Sequence, residues 1–192
     1  MIHARRAGIK KTKRLFVLST EGAETEPIYF QEFRPGRDGL FRLKILGNPT
    51  HKSHPIEVVR RLLEYQRHER PGTNTEYWAI IDRDAWSEAD LHAAYELANA
   101  RADFHIAMSN PCFELWLWLH LRTNRPFNDR HDCQRQLERE WLQFSKSNYP
   151  AAELMPLMPT ACSRAEEITE PIDGLLEAQG TQVFELVRKL SL

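Results

Sequence analysis

The chain alternates between short apolar runs and longer stretches in which apolar residues recur every three or four positions. Leu15–Thr20 is short, apolar and rich in strand formers, which marks a buried strand. Past the Glu21-Gly22 turn, a helix is expected from Thr25 to about Arg34, with Ile28, Phe30 and Phe33 on its apolar face. Pro27 falls early in that helix, where its missing N–H costs little. Pro35-Gly36 and Asp38-Gly39 break the chain. Leu40–Leu46 alternates from Phe41 onward, the pattern of a half-buried or edge strand. Pro55–Glu69 carries Ile56, Val59, Leu62, Leu63 and Gln66 as a helical stripe, with Ser53 or His54 near its cap. Glu76–Ile81 is the next strand. Ser87 then caps a helix through Leu91, Ala94, Tyr95 and Ala98, with Asp90 as its capping partner. Phe104–Met108 is a fourth strand, and Pro111–Arg122 is apolar nearly all round, as a buried helix must be.

That alternation predicts an α/β fold with a largely parallel sheet flanked by helices over residues 15–125. Beyond Arg122 the pattern changes. Asp129–Phe144 reads as a charged helix with Cys133, Leu137 and Trp141 on one side. Asn148–Pro159, with three prolines, reads as a loop. Helices follow at Thr160–Thr169 and Thr181–Leu190, the latter with a stripe of Val183, Leu186, Val187 and Leu190. Residues 126–192 are therefore expected to be a helical extension packed on the core, and residues 1–14 a basic arm. The arm is either a solvated leader or a phosphate-contacting tail.

Composition changes this picture little. The 192 residues, 42% hydrophobic and 28% charged, are ordinary for a soluble domain. A net charge of −1 gives no global field to attract nucleic acid. Three cysteines without CxxC spacing argue against a disulfide framework or a structural zinc site and for a reducing, cytoplasmic setting. No signal peptide is expected. The most apolar helical run, Cys112–Leu121, is too short to span a bilayer, so no membrane partner is expected.

The chemistry is expected where the strands end. Glu21 follows the first strand directly, Asp82 and Asp84 follow the third, and Glu114 follows the fourth. Acids at the carboxyl ends of parallel strands can converge on one divalent cation, because ligand crevices open there. Asp82 and Asp84, two apart, face one side while the backbone is extended, and a cation between them relieves their repulsion. Mg²⁺, or Mn²⁺, suits such an all-oxygen site. Each acid also has a structural explanation: most Asp-x-Asp pairs such as Asp82-Arg83-Asp84 sit in solvated loops. Glu21 or Glu24 can serve a helix N-terminus, and Glu114 can reach back as a capping acid toward Asn110. Arg83 and Lys146 are candidate phosphate contacts, with a plain surface role as the alternative. Trp78, Trp86, Trp116 and Trp118 read mostly as core residues, although Trp86, just after Asp84, could instead stack on a base.

The segments Glu21–Phe30, Ile81–Asp84, Ser109–Leu117 and Thr181–Val187 resemble the RloB family over about residues 13–190. The resemblance implies a Toprim-like α/β core, related to the domain of topoisomerases, DnaG-type primases and OLD-family nucleases. In that group a glutamate after the first strand and a DxD after a later one bind Mg²⁺. By position these are Glu21, Asp82 and Asp84, with Glu114 as an added site acid. Thr20 departs from the hydrophobic residue or cysteine usual before Glu-Gly. The resemblance further implies a nuclease acting on DNA or RNA, with tRNA a candidate, in abortive infection against phage. It also implies a partner ATPase of the AAA or ABC type, which must be a separate protein because the chain has no GxxxxGK[ST] loop. The alternative is a regulatory or interaction subunit that keeps the scaffold and its acids without chemistry.

Overall fold

A computed structural model of the chain describes residues 13–33, 41–48, 52–83 and 86–191. Asp84, His51, Arg34 and residues 1–12 of the basic arm lie outside them. The strands are β1 (Arg14–Thr20), β2 (Phe41–Leu46), β3 (Thr75–Asp82), β4 (Phe104–Asn110) and β5 (Gly180–Thr181). The helices are α1 (Thr25–Gln31), α2 (Pro55–Glu69), α3 (Glu88–Asn99), α4 (Glu114–Leu121), α5 (Arg130–Glu140), α6 (Met158–Ile168) and α7 (Val183–Leu190), with a 3₁₀ helix at Ala151–Leu157.

The sheet has the order β2-β1-β3-β4-β5, with β1 to β4 mutually parallel and β5 antiparallel to β4. Every long strand therefore ends on the same side. Thr20 lies opposite Ile80, and Asp82 lies opposite Ser109, so the residues leaving β1, β3 and β4 are neighbours.

Alternation along the strands sorts the core into two layers. Leu15, Val17, Tyr77, Ala79, Ile81 and Met108 face Val58, Val59 and Leu62 of α2 and Leu91, Ala94 and Ala98 of α3. Phe16, Leu18, Trp78, Ile80 and Ala107 face the other way, toward α1, α4 and the helices of the second half. The expected caps form. Ser87 Oγ accepts from the Asp90 N–H at 3.2 Å, and His54 Nδ1 accepts from the Ile56 N–H at 3.4 Å. The alternating segment forms edge strand β2, with Arg42 and Lys44 exposed and Phe41, Leu43 and Ile45 half-buried.

Three local expectations need correction. The helix expected at Pro111 starts at Glu114, because Pro111–Phe113 turn to bring the Phe113 N–H to Asp82. The charged helix ends at Glu140, and Trp141–Phe144 bends so that Trp141, Phe144 and Tyr149 pack together. The proline-containing loop includes the 3₁₀ helix, whose Leu154 and Ala151 are buried against the core. No helix among the described residues is long and apolar enough to cross a membrane.

Candidate functional site, an acidic pocket at the strand ends

A pocket of about 530 Å³ opens at the carboxyl ends of β1 and β3 and is lined by Glu21, Glu24, Glu26, Asp82 and Glu114 together with Arg130 and Lys146. Gly22, Ala23, Thr25, Ser53, Trp86 and Phe113 complete its lining.

Glu21 leaves β1 as the chain turns toward α1. Its Oε2 accepts from the Asp82 N–H at 3.1 Å and from Trp86 Nε1–H at 3.2 Å. Asn48 holds the same residue from behind, donating Nδ2–H to the Glu21 carbonyl at 3.2 Å. Glu21 is only 9% exposed, and burial pushes its carboxyl up to about 7. The Asp82 and Trp86 hydrogen bonds oppose that rise, Glu26 adds to it, and Arg130 lowers it.

Glu26, in the first turn of α1, curls back so that its Oε1 accepts from the Gly22 N–H at 2.8 Å. That contact explains the glycine. A Cβ at position 22 would lie 2.9 Å from the Glu26 Cδ and Oε1 and closer still to Oε2. Burial raises the Glu26 carboxyl, the Gly22 N–H opposes this, and Glu114 raises it further.

Asp82 ends β3 and accepts from the Phe113 N–H at 2.8 Å, so it also serves the start of α4. Burial holds its carboxyl well above the usual carboxylate range, and Glu21, Glu26 and Glu114 add repulsion in that order. Glu114, 4% exposed, pairs with Lys146 at 3.5 Å. Lys146 reaches the pocket on the Ser145–Asn148 turn, tied to α1 by Thr25 Oγ1–H donating to the Lys146 carbonyl at 3.1 Å and by Tyr149 O–H donating to the Thr25 carbonyl at 2.7 Å.

The predicted residues thus divide. Glu21, Asp82, Glu114 and Lys146 meet in the pocket. Arg83 does not line it: its N–H donates to the Ser109 carbonyl at 2.8 Å and its guanidinium lies 3.9 Å from Glu88. Asp84 lies outside the described residues. Sequence reasoning missed Glu26 and Arg130. The signal for Glu26 was its spacing from Gly22, one turn apart. Arg130 gave none, because only the packing of α5 on α4 brings it there.

Whether a divalent cation fits can be judged from the donors. They are carboxylate oxygens: those of Glu21, Glu26 and Glu114 are buried, Asp82 is half-buried, and these four repel one another, which is the environment a hard divalent ion relieves. Among the described residues, no three such side chains are already gathered about one point. The donor chemistry fits Mg²⁺ or Mn²⁺.

Fold and site together define an α/β protein with an acidic pocket at the carboxyl ends of a parallel sheet. The family model described as RloB-like protein matches residues 16–190, nearly the whole chain, and the protein belongs to that family. No curated protein and no solved structure matches the chain.

Proposed function

We propose that the protein is a metal-dependent phosphodiesterase acting on nucleic acid. The observation that carries this is a pocket lined by Glu21, Glu26, Asp82 and Glu114, close enough to repel one another, together with Arg130 and Lys146. Asp82, Glu26 and Glu114, with Asp84, would hold Mg²⁺. When bound, the ion would polarise a phosphoryl oxygen and lower the pKa of a water. Glu21, whose carboxyl titrates near 7, would take the proton of the attacking water at neutral pH. Lys146 and Arg130 would orient the phosphate and offset charge that develops on it. Trp86, which also lines the pocket, would fix Glu21 through its indole N–H.

The test is cleavage of DNA and RNA with Mg²⁺ or Mn²⁺ by the wild type, Asp82→Asn and Glu21→Gln. Loss of at least about a hundredfold in each folded variant is expected. Full activity in either variant would end the proposal. The family resemblance extends it to a defence effector of the abortive-infection kind, working with a separate AAA or ABC-type ATPase. Affinity capture from the native host, which should recover that ATPase, tests this part.

A second reading, a non-catalytic subunit, draws on the structural work the acids already do. Asp82 caps α4, and Glu26 holds the Gly22 turn. Calorimetric titration separates the two: a degenerate module takes up neither Mg²⁺ nor Mn²⁺.

A further inference from the structure

A second polar pocket, of about 400 Å³, lies at the opposite end of the sheet, where β1 and β3 begin. Lys13, Arg42, Thr73 and Asn74 line it, and no acidic side chain does among the described residues. Arg42 lies opposite Leu15 in the sheet, and Lys44 opposite Val17, so both cations project from the face that carries α2. Lys13, Arg42 and Lys44 are all exposed, and none has an ion-pair partner among the described residues. Glu76 starts from the same end of β3, but alternation sends it to the other face, where Arg14 and Lys189 neutralise it. Gly72 leaves the rim open, since a Cβ there would meet nothing within 4 Å.

We infer that this strip, Lys13–Arg42–Lys44 with its pocket, is a docking surface for the phosphodiester backbone of a nucleic acid strand. The reacting phosphate of that strand lies in the acidic pocket; this last part rests on the phosphodiesterase reading. Three cations without acidic partners among the described residues stand out on a chain whose net charge is −1, and a local stripe of this kind is the electrostatic footprint of a polyanion partner. The strip also leads toward the acidic pocket. β2 runs parallel to β1 and passes through Gly47 to Asn48, which is bonded to Glu21. The length of β1 sets the separation at about 20 Å, at roughly 3.3 Å per residue. That distance spans about six phosphates of a stacked strand at roughly 3.4 Å each. Substrates reaching that far should engage the strip, and very short ones should not.

The experiment compares wild type with Lys13→Gln/Arg42→Gln/Lys44→Gln. Binding of labelled 12-nucleotide RNA and DNA is measured by anisotropy in EDTA over a salt series, and Mg²⁺-dependent cleavage of 4- and 12-nucleotide substrates is measured alongside. The triple variant is expected to lose about tenfold or more in 12-mer affinity. Its log–log salt slope should fall by about 2, near 0.7 per lost single-strand contact. KM for the 12-mer should rise, with 4-mer cleavage unchanged. An unchanged slope, an equal loss on both lengths, or no 12-mer binding by the wild type would overturn the inference. Inorganic polyphosphate competing as well as the 12-mer at equal phosphate concentration would overturn the nucleic-acid assignment. Strip-dependent binding without any cleavage would sink the phosphodiesterase reading and leave the docking surface standing. Cleavage indifferent to the strip would do the reverse.

Discussion

Glu21 costs the protein stability at neutral pH and above. Its carboxyl is raised in the folded state from 4.5 to about 7, so folding favours the protonated form. The stability this contributes is fully present below about 4.5 and is lost as pH rises through about 7. The span corresponds to up to about 3 kcal/mol at 1.36 kcal/mol per unit. Glu21→Gln removes the titration while keeping an oxygen for the Asp82 N–H and Trp86. In EDTA at pH 8.5, urea unfolding should find Glu21→Gln more stable than wild type, with the difference shrinking toward pH 5. An identical pH dependence in the two proteins would contradict the burial argument. The same physics explains what could be read from the residues. Glu21, Asp82 and Glu114 were legible because each follows an apolar strand, where a charge has no reason to be unless something pairs with it. Glu26 was not, because an acid in a helix's first turn is already explained by the helix dipole. Only the turn at Gly22 shows that its carboxylate points back into the pocket.

Helix α4 shows the element scale at its most legible. Its residues are apolar on every side, and Leu115–Leu119 are all buried. At its end His120 joins it to α1. Nδ1 lies 2.9 Å from the Trp116 carbonyl, and Nε2 lies 3.1 Å from the Tyr29 hydroxyl. The carbonyl can only accept, so Nδ1 carries the proton and Nε2 accepts from Tyr29. Burial lowers the His120 pKa to about 4, the Trp116 carbonyl opposes that, and Arg164 adds to it. The unfolded chain therefore binds the proton first. Stability is intact above about 6.5 and falls as pH drops toward about 4, by up to roughly 3 kcal/mol. Glu21 acts in the opposite sense over part of that range, so the wild-type profile alone decides nothing. The difference profile does: His120→Gln should lose less stability than wild type between pH 6.5 and 4.5. A parallel profile would mean His120 is protonated in place. Elements whose pattern does not depend on a distant partner were legible, as with α2, read to its end residues. The 3₁₀ helix and β5 were not. A two-residue strand exists only because β4 offers an edge, and Asn110 Nδ2–H reaches the carbonyls of Leu176, Glu177 and Ala178 at 3.0–3.1 Å to steer the chain there.

At the scale of the whole molecule, the pattern of alternating elements supports a parallel sheet but leaves the strand order open. It also suggests a core ending near residue 125 with helices added afterward. The packing distributes the core differently. One hydrophobic layer contains Phe16, Leu18, Trp78 and Ile80 from the first half and Leu137, Leu154, Val183, Leu186, Val187 and Leu190 from the second. All six of the latter are 4% exposed or less. At about 1.5–3 kcal/mol for each large apolar side chain, their burial is worth roughly 10 kcal/mol or more, comparable to the whole stability of a typical domain. The second half also completes the acidic pocket, because Arg130 and Lys146 come from it. A fragment of residues 1–125 would expose one face of its sheet and most of α4, and it would lack both pocket cations. It is expected to be aggregated or to lack a cooperative unfolding transition. The full chain should unfold in a single calorimetric step with matching van't Hoff enthalpy. A soluble 1–125 fragment with dispersed amide resonances would show that the first half folds alone. The second half would then be an appended unit, free to be exchanged or lost, and the shared pocket would have to be assembled after folding.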